Sequence, residues 1–222
     1  MGREIVAAWA LAVAAAMLLA ACERPDWMKR QPRAEWRDRA EAHCLRTGAV
    51  RPSAYIRQTK PLNGPGSCGA RRPFQVSAAM GGRVALQPSA TLACPMIPQV
   101  DAWLARDVQP AAMSLFGEPV THVDVAGSYN CRTRNGRPGA KMSEHAYANA
   151  LDVRAFRLAS GRRITVERGW NGSLDEAVFL RTAHQGACRR FRTIIGPDGD
   201  RHHLDHFHLD LAWHGKDDVY CR

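Results

Sequence analysis

Seven cysteines set the tightest limit on this chain, because the first closes a leading apolar run and the other six lie beyond it. The opening stretch MGREIVAAWALAVAAAMLLAAC carries one arginine and then runs apolar for 17 residues, from Ile5 to Ala21. A basic start, an apolar run of this length and small residues before a cysteine read as a secretory signal. Export places the rest of the chain where disulfides form and persist. The remaining cysteines, Cys44, Cys68, Cys94, Cys131, Cys188 and Cys221, are even in number and none belongs to a C-x-x-C pair. Disulfides are therefore expected, and a zinc site built from thiolates is not. Six cysteines allow about 15 connectivities. Neighbours along the chain are the preferred pairs: Cys44 with Cys68, Cys94 with Cys131, and Cys188 with Cys221.

Leu19-Ala20-Ala21-Cys22 resembles a bacterial lipobox, in which the cysteine thiol is lipidated and becomes the first residue after cleavage. A plain cleaved signal and a retained span are the alternatives, the apolar run being at the short limit for crossing a bilayer. On the lipobox reading residues 1–21 are a lipoprotein signal peptide. Residues 22–33, polar and punctuated by Pro25 and Pro32, are a tether, and residues 34–222 form one domain with its own core. Glu23 is not a retention signal of the aspartate type, which points to the outer membrane rather than the inner, on the periplasmic side. The chain carries 31 Lys and Arg against 21 Asp and Glu, a formal charge of +10. Such a balance favours an anionic neighbourhood, lipid or acidic wall polymer, or else a solvated arginine-rich surface. Export argues against nucleic acid.

AEWRDRAEAHCLRTG spaces Trp36, Ala40 and Cys44 by four and reads as a helix stopped by Gly48. PFQVSAAMGGRVALQPSATL alternates as two strands about Gly81-Gly82. Val100, Trp103, Leu104, Val108, Ala111 and Leu115 recur at helical spacing, with Pro110 expected to kink or split that helix. VTHVDVAG and ALDVRAFRL read as strands. SLDEAVFLRTAHQGACRRF reads as a helix opened by a capping box of Ser173 and Glu176, and FRTIIG and HLDHFHLDLA as closing strands. Helices and strands intermingle without a regular βαβ rhythm, so the expected fold class is α+β, an antiparallel β-sheet core with flanking helices.

Four of the nine histidines fall in HHLDHFH: His202, His203, His206 and His208. On a strand His206 and His208 share a face, with Asp205 and Phe207 on the other. Such a face supplies one metal ligand and one neighbouring base from a rigid backbone. Catalytic zinc takes three protein ligands from His, Asp and Glu and leaves a position for water. His145 and Asp152, seven apart in SEHAYANALD, would complete such a set with His208. His206 is then the candidate base, and Arg132 the positive partner for a developing oxyanion or a substrate carboxylate. Taken singly, the H-x-H also reads as a solvent-facing pair, and the His–Asp spacing is no signature. His122, sharing a strand face with Asp124, is a reserve ligand. His43, His184 and His214 read as surface or helix-lining residues.

SEHAYANALD is similar to the S-x-H-x-x-G-x-A-x-D element of the D-alanyl-D-alanine metallopeptidases, a group that includes lysostaphin-type enzymes and the hedgehog fold, and DHFH matches its closing H-x-H. GSYNCR, FLRTAHQGAC and HLDHFHLDLA resemble the bacterial extensin-like C-terminal domain, a branch of that superfamily, over about Cys44 to the final YCR. No proline repeat of the plant wall glycoprotein type is present. The resemblance implies a hedgehog/D,D-peptidase-like fold and one zinc held by His145, Asp152 and His208. It makes His206 the general base, Arg132 a substrate or transition-state contact, and Ser143 a residue orienting its loop. Its implied activity is hydrolysis of peptide bonds in peptidoglycan stem peptides, of D,D-carboxypeptidase or endopeptidase type. His203 would add a polar group at the site edge or face solvent. Asp205 and Asp210 are read as surface residues on the face opposite His206 and His208. Ala148 stands where the family pattern has glycine. If that backbone position needs positive φ, alanine costs about 1 kcal/mol there or narrows the groove. The departure favours a second reading, a non-catalytic wall-binding lipoprotein that keeps the fold.

Overall fold

Short-range chemistry accounts for the first helix. The computed structural model describes residues 34–215 and 218–222; the signal, Cys22 and the tether expected before them lie outside the described residues. Helix α1, Glu35–Arg46, has Glu35 and Asp38 in its first turn and His43 and Arg46 in its last, which complements the helix dipole. The Thr47 hydroxyl donates to the carbonyl of His43 and closes the C-terminus. Strands β1 (Ile56–Gln58), β2 (Leu62–Asn63) and β3 (Gly69–Ala70) are short. The expected hairpin follows as β4 (Phe74–Ala79) and β5 (Val84–Leu92), turning at Met80, Gly81 and Gly82, all with positive φ.

The apolar period after Cys94 forms helix α2 (Met96–Trp103), a π-helical turn (Leu104–Val108) and helix α3 (Gln109–Phe116). Pro110 was expected to kink or split the helix. The α-helix is split there: a wider π turn, in which the Gln109 N–H bonds back to the Leu104 carbonyl, separates α2 from α3. The π turn shifts the register just where proline lacks a donor, so the interruption is absorbed. Strand β6 (Val120–Gly127) leads to β7 (Ala150–Leu158), β8 (Arg163–Thr165), a short helix α4 (Val166–Gly169) and the long helix α5 (Leu174–Cys188). Strands β9 (Thr193–Ile195), β10 (Phe207–Asp210) and β11 (Tyr220–Cys221) complete the chain. The expected capping box does not form. Ser173 makes no side-chain cap bond, and Glu176 instead accepts from Arg162 at 2.7 Å.

The fold is mixed α and β around one nine-stranded sheet, ordered β1-β4-β5-β6-β7-β10-β9-β11 with β8 beside β7. Most pairs are antiparallel, as expected, but β5/β6 and β9/β11 are parallel. The helical connection through α2 and α3 carries the chain back to the end from which β5 started, and that geometry yields a parallel neighbour. Helices α2, α3 and α5 pack together on one face. Trp103 and Phe179 stack edge-on against Phe156 of β7, Trp170 does so against Phe207 of β10, and Trp103 donates its indole N–H to the Ala183 carbonyl at 2.8 Å. Among the described residues no helix is long and apolar enough to cross a membrane.

Three disulfides staple this fold: Cys44–Cys94, Cys68–Cys131 and Cys188–Cys221. The last is the expected pair. The other two overturn the nearest-neighbour preference, because the β4/β5 hairpin returns Cys94 to the end of α1, while Cys68 meets the loop that follows β6. Sequence proximity and spatial proximity diverge wherever a hairpin intervenes.

Candidate metal centre

Strand alternation and sheet register assemble the site. In β10, Phe207 and Leu209 enter the core, so His208 lies on the face away from the helices. Antiparallel pairing sets His208 directly opposite Asp152 of β7. Across the other edge of β7, Asp152 is the partner of Gly127 at the end of β6. A Cβ at Gly127 would stand 2.9 Å from Asp152 Oδ2, so a larger residue would push that carboxylate aside. His145 comes from a single 3-10 turn, Glu144–Tyr147, immediately before β7. Ser143 caps this turn, its hydroxyl accepting the His145 N–H at 3.4 Å. Ala148 ends it in the left-handed region, at φ 54°. Alanine thus occupies a backbone position that favours glycine, the residue expected there from the motif that SEHAYANALD resembles.

The three side chains converge with little exposure, 1% for His145, 7% for Asp152 and 9% for His208. His145 Nε2 lies 3.2 Å from His208 Nδ1 and 3.1 Å from Asp152 Oδ2, and His208 Nδ1 lies 2.9 Å from Asp152 Oδ1. A tetrahedral zinc ion with bonds of about 2.0–2.1 Å spaces its ligand atoms by about 3.3 Å, close to these separations.

The outer nitrogen of each imidazole is already committed. His145 Nδ1 is 2.5 Å from the Ser128 carbonyl, an oxygen that can only accept, so Nδ1 carries the proton and Nε2 presents its lone pair inward. His208 Nε2 donates to Asp210 Oδ2 at 2.9 Å, which leaves Nδ1 as the inward atom. Asp210 was expected to face away. It follows His208 by two residues, so alternation puts it on the same face, buried at 4%, and its second oxygen accepts the Ala212 N–H. Burial by itself would raise Asp152, but the hydrogen bonds and charges of His145 and His208 outweigh it and hold the carboxyl well below its usual range. Burial likewise opposes charge on His208, yet the bonds to Asp152 and Asp210 win and push it up to about 10. Without an ion, the two carboxylates Asp152 and Asp210 hold a proton on His208, the charge that a bound divalent cation would replace.

His206 sits one residue before β10, with its Nε2 3.8 Å from Asp152 Oδ1. Its Nδ1 donates to Asp205 at 2.8 Å, so Asp205, expected to have only a surface role, orients this ring and leaves Nε2 as an acceptor. His203 bonds Asp200 at 2.8 Å and packs beside His206 and His208. Two clefts of about 400 Å3 and 200 Å3 open at the cluster. Arg132, Asn135, His203 and His208 line both, so Arg132 stands in the shared wall. His122 is elsewhere: it lies five residues before Gly127 on β6, about 16 Å along the strand, with its Nδ1 against Thr121. His184, on the inner side of α5, is buried and wedged against Trp170 and Phe207. It groups with Cys188 and Cys221, but those sulfurs are joined to each other.

Residues that sequence reasoning missed hold the turn from behind. The carboxylate of Glu144 is buried and receives Arg37 from α1 and the side-chain amide of Asn149. The Arg37 guanidinium lies between the rings of Trp36 and Tyr147, at 4.3 and 4.0 Å from their centroids. Ser128 offered no signal at all, because it acts through its main-chain carbonyl.

A disulfide-stapled α+β domain with a buried two-histidine, one-aspartate cluster that could hold a metal ion is the class that fold and site define. The family described as extensin-like protein C-terminus matches residues 42–222, and the chain belongs to that family. No curated protein and no solved structure matches the chain.

Proposed function

We propose that this chain is a zinc-dependent hydrolase of peptide bonds in peptidoglycan stem peptides, related to the D-alanyl-D-alanine metallopeptidases and held at the periplasmic side of the bacterial envelope by lipid on Cys22. The observation that carries it is the inward convergence of His145 Nε2, His208 Nδ1 and Asp152 at near-tetrahedral spacing, with both outer nitrogens already donating. A bound divalent ion supplies Lewis acidity, polarising a carbonyl and acidifying water. His206, oriented by Asp205 and presenting Nε2 to the cleft, accepts the proton as an amide is attacked. Arg132, in the wall shared by both clefts, offers a fixed positive charge to the oxyanion or to a substrate carboxylate. The zinc ligands, the base and Arg132 are those the resemblance to the peptidase group implies.

The left-handed Ala148 favours a second reading, a wall-binding lipoprotein that keeps the fold without turnover. The distinguishing experiment is zinc stoichiometry on the protein lacking its first 22 residues, followed by mass-spectrometric assay of peptidoglycan fragments. Near one zinc per chain, lost in His208→Ala, with cleavage in the parent and none in a zinc-loaded His206→Ala, is the expected result. Zinc absent from the folded, disulfide-bonded parent after reconstitution overturns the hydrolase. Zinc present without cleavage selects the binding module.

A further inference from the structure

Asp210 accepts the His208 Nε2 proton at 2.9 Å, and its other oxygen accepts the Ala212 N–H at 2.8 Å. Both donors belong to β10 or to the chain just after it. A third group reaches the carboxylate from a second strand. Thr193 of β9 is the direct cross-strand partner of Asp210. Residues paired in this way point to the same face of a sheet, so Thr193, Asp210 and His208 stand together. Thr193 and Asp210 are both buried, where a polar group needs a partner.

Burial by itself would raise Asp210, but His208, the Ala212 N–H and the Thr193 hydroxyl outweigh it and hold the carboxyl below its usual range. The Thr193 hydroxyl also lies 2.7 Å from Nε2 of His214, in the chain after β10. An ionised carboxylate only accepts, so the single hydroxyl proton of Thr193 goes to Asp210. Its oxygen is then the acceptor for the His214 Nε2–H. The donors run in one direction, from His214 through Thr193 to Asp210.

We propose that Thr193 is a positioning residue for the metal centre: with its hydroxyl turned by His214, it ties the Asp210 carboxylate to β9, and Asp210 keeps His208 Nδ1 aimed at the ion. Thr193 lies outside both histidine motifs in sequence and reaches the centre through sheet register alone. The role rests on the metal centre of the proposed function and is independent of whether the protein hydrolyses anything. Outer partners of a metal-binding imidazole contribute about 10–100-fold to metal affinity. Thr193 acts one bond further out, which places its effect at the low end of that range.

Zinc affinity is measured on the folded, disulfide-bonded protein by competition with a chromophoric chelator. Thr193→Val keeps the shape and removes the hydroxyl, and should weaken zinc by about ten-fold. Thr193→Ser restores the hydroxyl and should stay within about three-fold of the parent. His214→Ala leaves the hydroxyl but frees its rotation, and should lose less than Thr193→Val. Ile194→Val is the control for stability, since Ile194 is the next residue on β9 and packs into the core. It should lower the urea midpoint of the zinc-free protein and leave zinc affinity unchanged. Visible absorption of the cobalt(II)-loaded proteins reads ligand geometry directly, and should shift in Thr193→Val and return in Thr193→Ser. Parent-like affinity in Thr193→Val overturns the proposal and leaves the metal centre standing. Serine as weak as valine, a larger loss in His214→Ala, an equal loss in Ile194→Val or an unchanged cobalt spectrum overturns it too. A folded parent that binds no zinc removes the metal centre itself, and this role with it.

Discussion

Arg37→Ala removes the only cation that, among the described residues, reaches the buried Glu144 carboxylate, one residue before His145 of the candidate metal cluster. The guanidinium meets both carboxylate oxygens, Nε donating to Oε2 at 3.3 Å and Nη2 to Oε1, and the two side chains are 12% and 4% exposed. With Arg37 gone, Glu144 keeps, among the described residues, the Asn149 amide at 2.7 Å. Breaking a buried pair from one side costs about 3–5 kcal/mol, since the remaining charge is left unpaired. Loss of the guanidinium between Trp36 and Tyr147 adds about 0.5–2 kcal/mol. Water reaches Arg37 more readily than Glu144, so the expected total is about 4 kcal/mol rather than the sum of the upper limits. Urea unfolding with disulfides intact measures it. A cycle with Glu144→Gln isolates the charge: in that background Arg37→Ala should cost only about 1–2 kcal/mol, the packing and stacking share. A cost under about 1 kcal/mol for Arg37→Ala alone, or a coupling energy near zero, refutes the view that α1 clasps the ligand turn through this charge.

Two further outcomes are expected. Ala148→Val should destabilise by about 3 kcal/mol, because a β-branched residue at positive φ is strained and the site is fully buried, whereas Ala148→Gly should stay within about 1 kcal/mol of the parent. Thermal unfolding compares them, and a tolerated valine would refute the strain. His184 is held below its ordinary value of 6.5, chiefly by burial and in part by Arg181, against the upward pull of its bond to the Arg222 main-chain oxygen and of Asp198. A histidine that prefers to be neutral when folded leaves stability intact above pH 6.5 and erodes it as pH falls below that value. Urea midpoints taken from pH 8 to pH 5 should therefore fall more steeply for the parent than for His184→Gln, and parallel curves would remove His184 as the cause.

Periodicities of two and of about four were legible in the chain itself, and they located α1, the β4/β5 hairpin, β6, β7 and α5 from residues that are neighbours in sequence. The cysteine count and the apolar leader likewise needed no coordinates to imply cross-links. The likeness of SEHAYANALD and DHFH to a known motif singled out the residues that the sheet register then brings within about 3 Å. Long-range partners were not legible. Which cysteine meets which, the parallel entry of β6 beside β5, and the clasp between Arg37 and Glu144, 107 positions apart, follow from how hairpins and crossovers fold back. Asp210 is the instructive case, since alternation alone puts it on the face of His208, yet only the packed sheet shows its carboxylate accepting the imidazole proton and turning the other nitrogen inward. Local sequence determines where a side chain points. Which groups it then meets is decided by packing, because a buried polar atom must find a partner wherever the fold places one.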